Sequence, residues 1–226
     1  MRVYLAMLAA GAGLFIPGAA QARDDAQLWT GMTATVKLGG NFKLSQDLTA
    51  RFSDNRNGLY EIESNTLLGY SVSKKVTLWA GYTHDPNYSA GDFTVMEHRA
   101  REQVTFDNVV KIGGGTLSGR LRLEQRWREG IDGTAWRFRP YVKYSLPFRP
   151  GHKTALVLSH ESFIDLNSTS FQRVEGEERM RNAIAVTTPL AKHVNLEVGY
   201  LNQYSFVPNG PDNDDHAATV TLGLSF

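Results

Sequence analysis

The chain has 226 residues, 24 Lys+Arg against 23 Asp+Glu, a formal net charge of +1 and no cysteine. That length suits one domain or one barrel, and the balanced charge offers no basic field, so a nucleic-acid partner is excluded. Without thiols there is no disulfide framework and no lipid-attachment cysteine.

Residues 1–22 differ in character from the rest of the chain. Arg2 gives a positive start, Val3 to Ile16 is apolar, Pro17-Gly18 breaks the run, and Ala20-Gln21-Ala22 is a small-x-small cleavage site. Together these read as a secretory signal peptide over 1–22, with a mature domain over 23–226 that begins at Arg23. An N-terminal anchor fits less well, because the apolar run is short and ends in a processing pattern. Past residue 22 no stretch approaches the roughly 18 apolar residues of a spanning helix.

Two-residue alternation takes the helix's place. Eleven strand-like segments lie near 28–38, 41–53, 60–73, 75–85, 94–107, 116–129, 134–147, 153–165, 173–187, 193–206 and 215–226. In "NFKLSQDLTARFS", Phe42, Leu44, Leu48, Ala50 and Phe52 oppose Asn41, Lys43, Ser45, Asp47, Thr49 and Arg51, the pattern of one oily and one wet face. The same split sets Tyr60 and Ile62 against Glu61 and Glu63, and Leu78 and Tyr82 against Thr77 and Trp79. In "GRLRLEQRWRE", Arg120, Arg122, Glu124, Arg126 and Arg128 share one face, away from Leu121, Leu123 and Trp127.

The segments run about 11 to 14 residues, whereas soluble strands cluster near five or six. A tilted strand needs roughly 9 to 11 residues to cross a bilayer. Tight connectors at 39–40, 73–75, 147–152 and 190–193 alternate with longer polar loops at 85–93, 164–175 and 206–215. Aromatics gather at both ends of the oily face, Tyr82, Trp127, Trp136 and Tyr204 on the loop side, Phe42, Tyr70, Tyr144 and Phe226 on the turn side. The expected fold is therefore all-β, a closed antiparallel transmembrane β-barrel. Since single-chain bacterial barrels carry even counts, 10 or 12 strands are expected despite the eleven segments. Strict alternation also turns Glu102 and Gln125 toward lipid, and a register-shifting bulge is expected to relieve this.

In hydrocarbon a sheet must close on itself, so its charged face points inward. The expected lumen lining is Arg51, Glu61, Glu63, Glu97, Arg99, Arg101, Arg120, Arg122, Glu124, Arg126, Arg128, Arg137, Arg139, Glu161 and Glu197. Each arginine there needs an acidic partner, which makes for a narrow or plugged interior.

The histidines at 84, 98, 152, 160, 193 and 216 have no metal-site spacing, so neither a metal nor a cofactor is expected. "SHESF" places His160 and Ser162 on one strand face. The pair resembles the His-x-Ser of outer-membrane phospholipase A and the lipid A deacylase, in which the histidine activates the serine against an acyl ester. Asn182 or Glu161 could supply an orienting group, though Glu161 points to the opposite face. The plainer reading, polar residues at a strand end near headgroups, is preferred, and no catalytic residue is assigned.

The alternating C-terminus, with Leu222, Leu224 and terminal Phe226, resembles the insertion signal read by the barrel-assembly machinery. The order from Leu28-Trp29 through "SGRLRLEQRW", "HESF", "ERMRN" and "LEVGYLNQY" is similar to the bacterial domain-of-unknown-function family 2490, a group of predicted outer-membrane barrels. The resemblance implies a Gram-negative outer-membrane location among outer-membrane lipid, and no particular chemistry. The expected role is a narrow or plugged pore for small solutes, or a structural barrel. The alternatives are an outer-leaflet lipid acyl hydrolase and a soluble periplasmic β-barrel binding protein.

Overall fold

Each alternating segment becomes a strand, because a face of Leu, Val and Tyr and a face of Arg, Glu and Thr can both be satisfied only when a sheet separates oil from a polar interior. The computed structural model describes residues 23–226, and the signal-peptide reading of 1–22 lies outside them. The strands are β1 (Arg23–Gly39), β2 (Phe42–Ser53), β3 (Gly58–Ser71), β4 (Val76–Ser89), β5 (Asp92–Ile112), β6 (Gly115–Arg128), β7 (Ile131–Pro147), β8 (Ala155–Asp165), β9 (Gly176–Ala191), β10 (Val194–Ser205) and β11 (Asn213–Ser225). Sequential neighbours pair antiparallel around the wall, and β1 meets β11 to close it.

The expectation of 10 or 12 strands gives way to eleven. An odd meander brings its first and last strands together pointing the same way, so β1 and β11 pair in parallel, from Arg23↔Asn213 to Thr35↔Ser225. The ladder extends to the terminal residue, where Phe226 N–H donates to Thr35 O at 2.9 Å. Parallel pairing is slightly weaker per residue than antiparallel, but it leaves no edge. It also puts Arg23 and Phe226 at opposite rims. Arg23 N–H bonds Asp212 O at 2.8 Å on the rim that carries the 54–57, 166–175 and 206–212 connections.

One expected loop is absent. Residues 85–93 continue β4 and β5 to a tight hairpin at Ala90-Gly91, both at positive φ (53° and 86°), the conformation a two-residue connection requires. The expected bulge at Glu102 and Gln125 is also absent. Both side chains stay on the outer face, and Gln125 Nε2 donates to Glu102 Oε1 at 3.4 Å. A bulge occurs instead between Arg51 and Phe52, opposite Tyr60. It turns Tyr60 into the interior, where its hydroxyl donates to Gln27 Oε1 at 2.8 Å, against the expectation that Tyr60 joins the oily face.

The outer surface carries exposed Leu28, Met32, Leu48, Leu68, Leu78, Val142, Leu158, Ile184, Val198 and Leu222. Aromatic groups mark its ends. Tyr82, His98 and Trp127 lie together at the loop side, with His98 and Trp127 stacked at 5.8 Å, and Phe42 meets Tyr70 edge-on at 5.2 Å at the turn side.

Candidate functional site

Alternate positions of β2 to β8 deliver these charges to the inner face of the wall, because cross-strand pairs share a face. Glu63 receives Arg51 Nη2, Arg99 Nη1 and Arg101 Nη2, each at 3.1 Å. Glu97 receives Arg99 Nε at 2.6 Å, Arg128 Nε at 2.8 Å and Arg126 Nε at 2.9 Å. Glu124, fully buried, receives Arg137 Nη2 and Arg139 Nη1 at 2.7 Å and Arg101 Nε at 2.8 Å, with Arg122 Nη1 at 3.8 Å. Glu161 holds Arg139 Nη2 at 3.1 Å and also pairs with Arg120, while Arg51 meets Glu61 and Arg99 meets Asp85. Of these carboxylates all but Glu61 and Asp85 serve more than one guanidinium, so the lattice is shared and not a set of isolated pairs.

Aromatic rings interleave with the arginines. Arg51 and Arg181 lie over Trp29 at 4.4 and 4.6 Å, and Arg181 and Arg139 lie over Phe163 at 4.6 and 4.2 Å. Arg181 therefore has a ring on each side. Its Nε donates to Gln203 Oε1 at 2.8 Å, and among the described residues it has no carboxylate in ion-pair range. Flat guanidinium planes suit this stacking and are weakly hydrated, which makes their burial tolerable.

The lattice separates two cavities. The larger, about 850 Å³, opens at the loop rim and is lined by eleven arginines against seven carboxylates, Arg181, Arg137 and Arg56 among the former. The smaller, about 190 Å³, lies toward the turn rim beside Trp79, Arg120, Arg122 and Lys143. Asn65, Arg101, Glu124 and Glu161 line neither and form the floor between them. The 166–175 loop bends into the mouth. Its Gln172 is buried, accepts from Arg126 Nη1 at 3.1 Å and donates to Trp136 O at 3.0 Å, while Phe171 lies under Arg128 at 4.8 Å.

Of the residues expected in the lumen, Glu197 faces inward but joins none of these ion pairs. Asp85, Asp165, Glu178, Arg179, Arg181, Trp29 and Phe163 belong to the interior and were not named from the sequence. For the two aromatics the signal existed, since both fall on the wet parity of their strands.

His160, Ser162 and Asn182 stand on the opposite, outer wall. His160 pairs across the sheet with Asn182, and Ser162 lies two residues on along β8. His160 Nδ1 is 2.8 Å from Asn182 Oδ1, and His160 Nε2 is 3.2 Å from Ser162 Oγ. Glu161 points into the lumen and takes no part. Two acid-bearing groups have ligand atoms close together, Asp24/Asp214/His216 at the rim and Glu61/Glu63/Asp85 inside. The inner acids are already engaged by Arg51, Arg99 and Arg101, so arginine takes the place a metal would fill.

A closed sheet with an oil-compatible exterior around a polar lumen defines a porin-like β-barrel. The chain belongs to the family described as Protein of unknown function (DUF2490), which matches residues 26–214. An uncharacterized protein of Methylorubrum extorquens is 24% identical over 223 residues, covering 98% of this chain and 95% of that protein. Solved structures with similar folds include a NanC porin, 10% identical with a TM-score of 0.49, covering 83% of this chain and 92% of that one. Another is an anion-selective porin from Comamonas acidovorans, 12% identical with a TM-score of 0.41, covering 83% and 54%.

Proposed function

We propose that residues 1–22 export this chain to the bacterial outer membrane, and that its lumen is an anion-accepting vestibule closed below by an ion-paired floor. The loop rim faces outward in this reading, as longer connections do in outer-membrane barrels. The carrying observation is the charge of the loop-side cavity, eleven arginines to seven carboxylates in a protein of net charge +1. A low-dielectric cleft lined by one excess sign concentrates ions of the other. Arg181, held between two rings with no acid partner among the described residues, is the guanidinium best placed to meet a small anion.

Eleven strands fall between the eight whose side chains fill a barrel and the 16 to 18 that leave an aqueous channel. Width therefore permits passage and the floor restricts it. Purified protein in planar bilayers should show small conductance steps that favour chloride over potassium, and Arg181→Gln should reduce that preference. Cation preference, or a bilayer that stays silent at high protein load, counts against passage of anions.

A further inference from the structure

We propose that Ser162, His160 and Asn182 are the nucleophile, the base and the orienting group of a lipid-facing site that hydrolyses an acyl ester of the surrounding leaflet. The site is separate from the lumen. Its three side chains point away from the arginine lattice, among Leu158, Ile164, Met180 and Ile184.

The hydrogen bonds run in one direction. Asn182 Oδ1 can only accept, so the His160 proton sits on Nδ1, and Nε2 is left bare to take the Ser162 hydroxyl proton. Nucleophile to base and base to orienting group are both within reach, the geometry that activates a serine. Polar side chains on an oily wall are unfavourable, and these three satisfy one another. The sheet is also open at this point. By register Pro140 stands opposite Ser162, and with no N–H to give it leaves the β7–β8 ladder unbridged between Phe138↔Ile164 and Tyr141↔Glu161.

Depth selects the substrate. Ser162 lies three residues inside the loop-side end of β8, about 10 Å of strand. Tilted by the usual 35–45°, that is roughly 7–8 Å below the rim, where headgroup gives way to acyl chain and ester carbonyls reside. Ser162 Oγ would bond the acyl carbon as its proton passes to His160 Nε2. The ester C–O bond then breaks, and the leaving alcohol takes that proton. Water next attacks the acyl-serine, gives a proton to Nε2 and releases the fatty acid, and the proton returns to Oγ.

The test uses the full barrel in detergent–lipid mixed micelles, with phosphatidylethanolamine in one arm and lipid A in the other. A fluorophosphonate probe reports serine nucleophilicity, and a heat-dependent gel shift reports that each variant is closed. Fatty-acid release in either arm and labelling of the serine are expected, both lost in Ser162→Ala and His160→Ala. The arm that responds identifies the lipid. Asn182→Leu should lower kcat by about 100-fold with KM unchanged, and Asn182→Asp, which keeps an acceptor toward Nδ1, should restore most of it. Closed wild-type barrel that neither labels nor releases fatty acid in either arm overturns the proposal. Conductance should be unchanged in Ser162→Ala, so failure of this proposal and failure of the vestibule reading are told apart.

Discussion

Replacing Glu124 by glutamine preserves shape and removes one charge from the centre of the floor. Four guanidiniums converge on that carboxylate, and their alternatives differ. Arg101 keeps Glu63 at 3.1 Å and Arg139 keeps Glu161 at 3.1 Å. Arg137 and Arg122 have no other carboxylate within ion-pair range among the described residues. Removing one member of a buried pair strands its partner and costs about 3–5 kcal/mol, chiefly the unrelieved desolvation of the remaining charge. With two arginines stranded, the loss should fall at or above the upper end of that range. Glu129→Gln is the control, since its side chain is 65% exposed and pairs only with His98 at 3.1 Å. Such a contact contributes about 0–1 kcal/mol. Tryptophan fluorescence during denaturant unfolding in lipid vesicles measures both. The double variant Glu124→Gln/Arg137→Gln should recover part of the loss, because it removes a stranded charge. A Glu124→Gln midpoint indistinguishable from wild type would refute the claim that this lattice is dry and interdependent.

Three other outcomes rest on geometry. A Cβ on Gly69 would lie 2.5 Å from Trp79 Cε3, and the indole is held by Nε1 donating to Thr105 Oγ1 at 3.1 Å, so Gly69→Ala should destabilise by about 1–3 kcal/mol and Trp79→Leu should relieve it. In the 206–212 loop, Val207 N–H at 2.8 Å and the Tyr204 hydroxyl at 2.7 Å hold the Asp212 carboxyl below its ordinary value. A carboxylate depressed on folding lends order above the unfolded pKa and loses it as pH falls through the folded one. Proteolysis of this loop should therefore rise on acidification, and Asp212→Asn should show the faster rate already at neutral pH. Finally, an epitope placed between residues 22 and 23 should share its side of the membrane with one in 206–212 and not with one in 148–154, as antibody binding to intact cells would report. Opposite accessibility would break the parallel β1–β11 closure.

How much of this could be read from the sequence depended on range. Alternation is a local property, so the eleven segments and the inward parity of Arg101, Glu124 and Arg139 come from residues i and i+2 alone. Parity fails where a bulge intervenes. Tyr60 lies one residue from Glu61 and both turn inward, because Arg51 pairs with Glu61 while Phe52 pairs with Leu59. No pattern in β3 announces the extra residue, which is defined only by its pairing with β2. Glu102 was the reverse case. A bulge was expected to rescue it from the oily face, and a hydrogen bond from Gln125 on the adjacent strand serves it instead.

Closure and the outer-wall array are longer-range still. That β1 meets β11 depends on the circumference fixed by eleven strands and their stagger, and no single segment carries that information. For His160 and Ser162 the two-residue spacing was legible. Asn182 could be named only as one candidate beside Glu161, because choosing it requires the β8–β9 register, 22 residues from His160 in sequence and beyond a bulge at Phe163 and Ile164. That bulge makes the register decisive, as it falls between the loop and the array. Were the shift absent, each residue of β8 would face a partner one position along β9, Asn182 would leave the place opposite His160, and Arg181 or Ala183 would occupy it from the inner face. The same one-residue shift would withdraw Arg181 from between Trp29 and Phe163. A single irregularity in one hairpin, with Glu178 as its extra residue, thus keeps both the imidazole's acceptor on the oily wall and Arg181 in the vestibule, so deleting Glu178 should straighten β9 with Ile164↔Glu177 and Phe163↔Arg179 still in step and leave both sites in place.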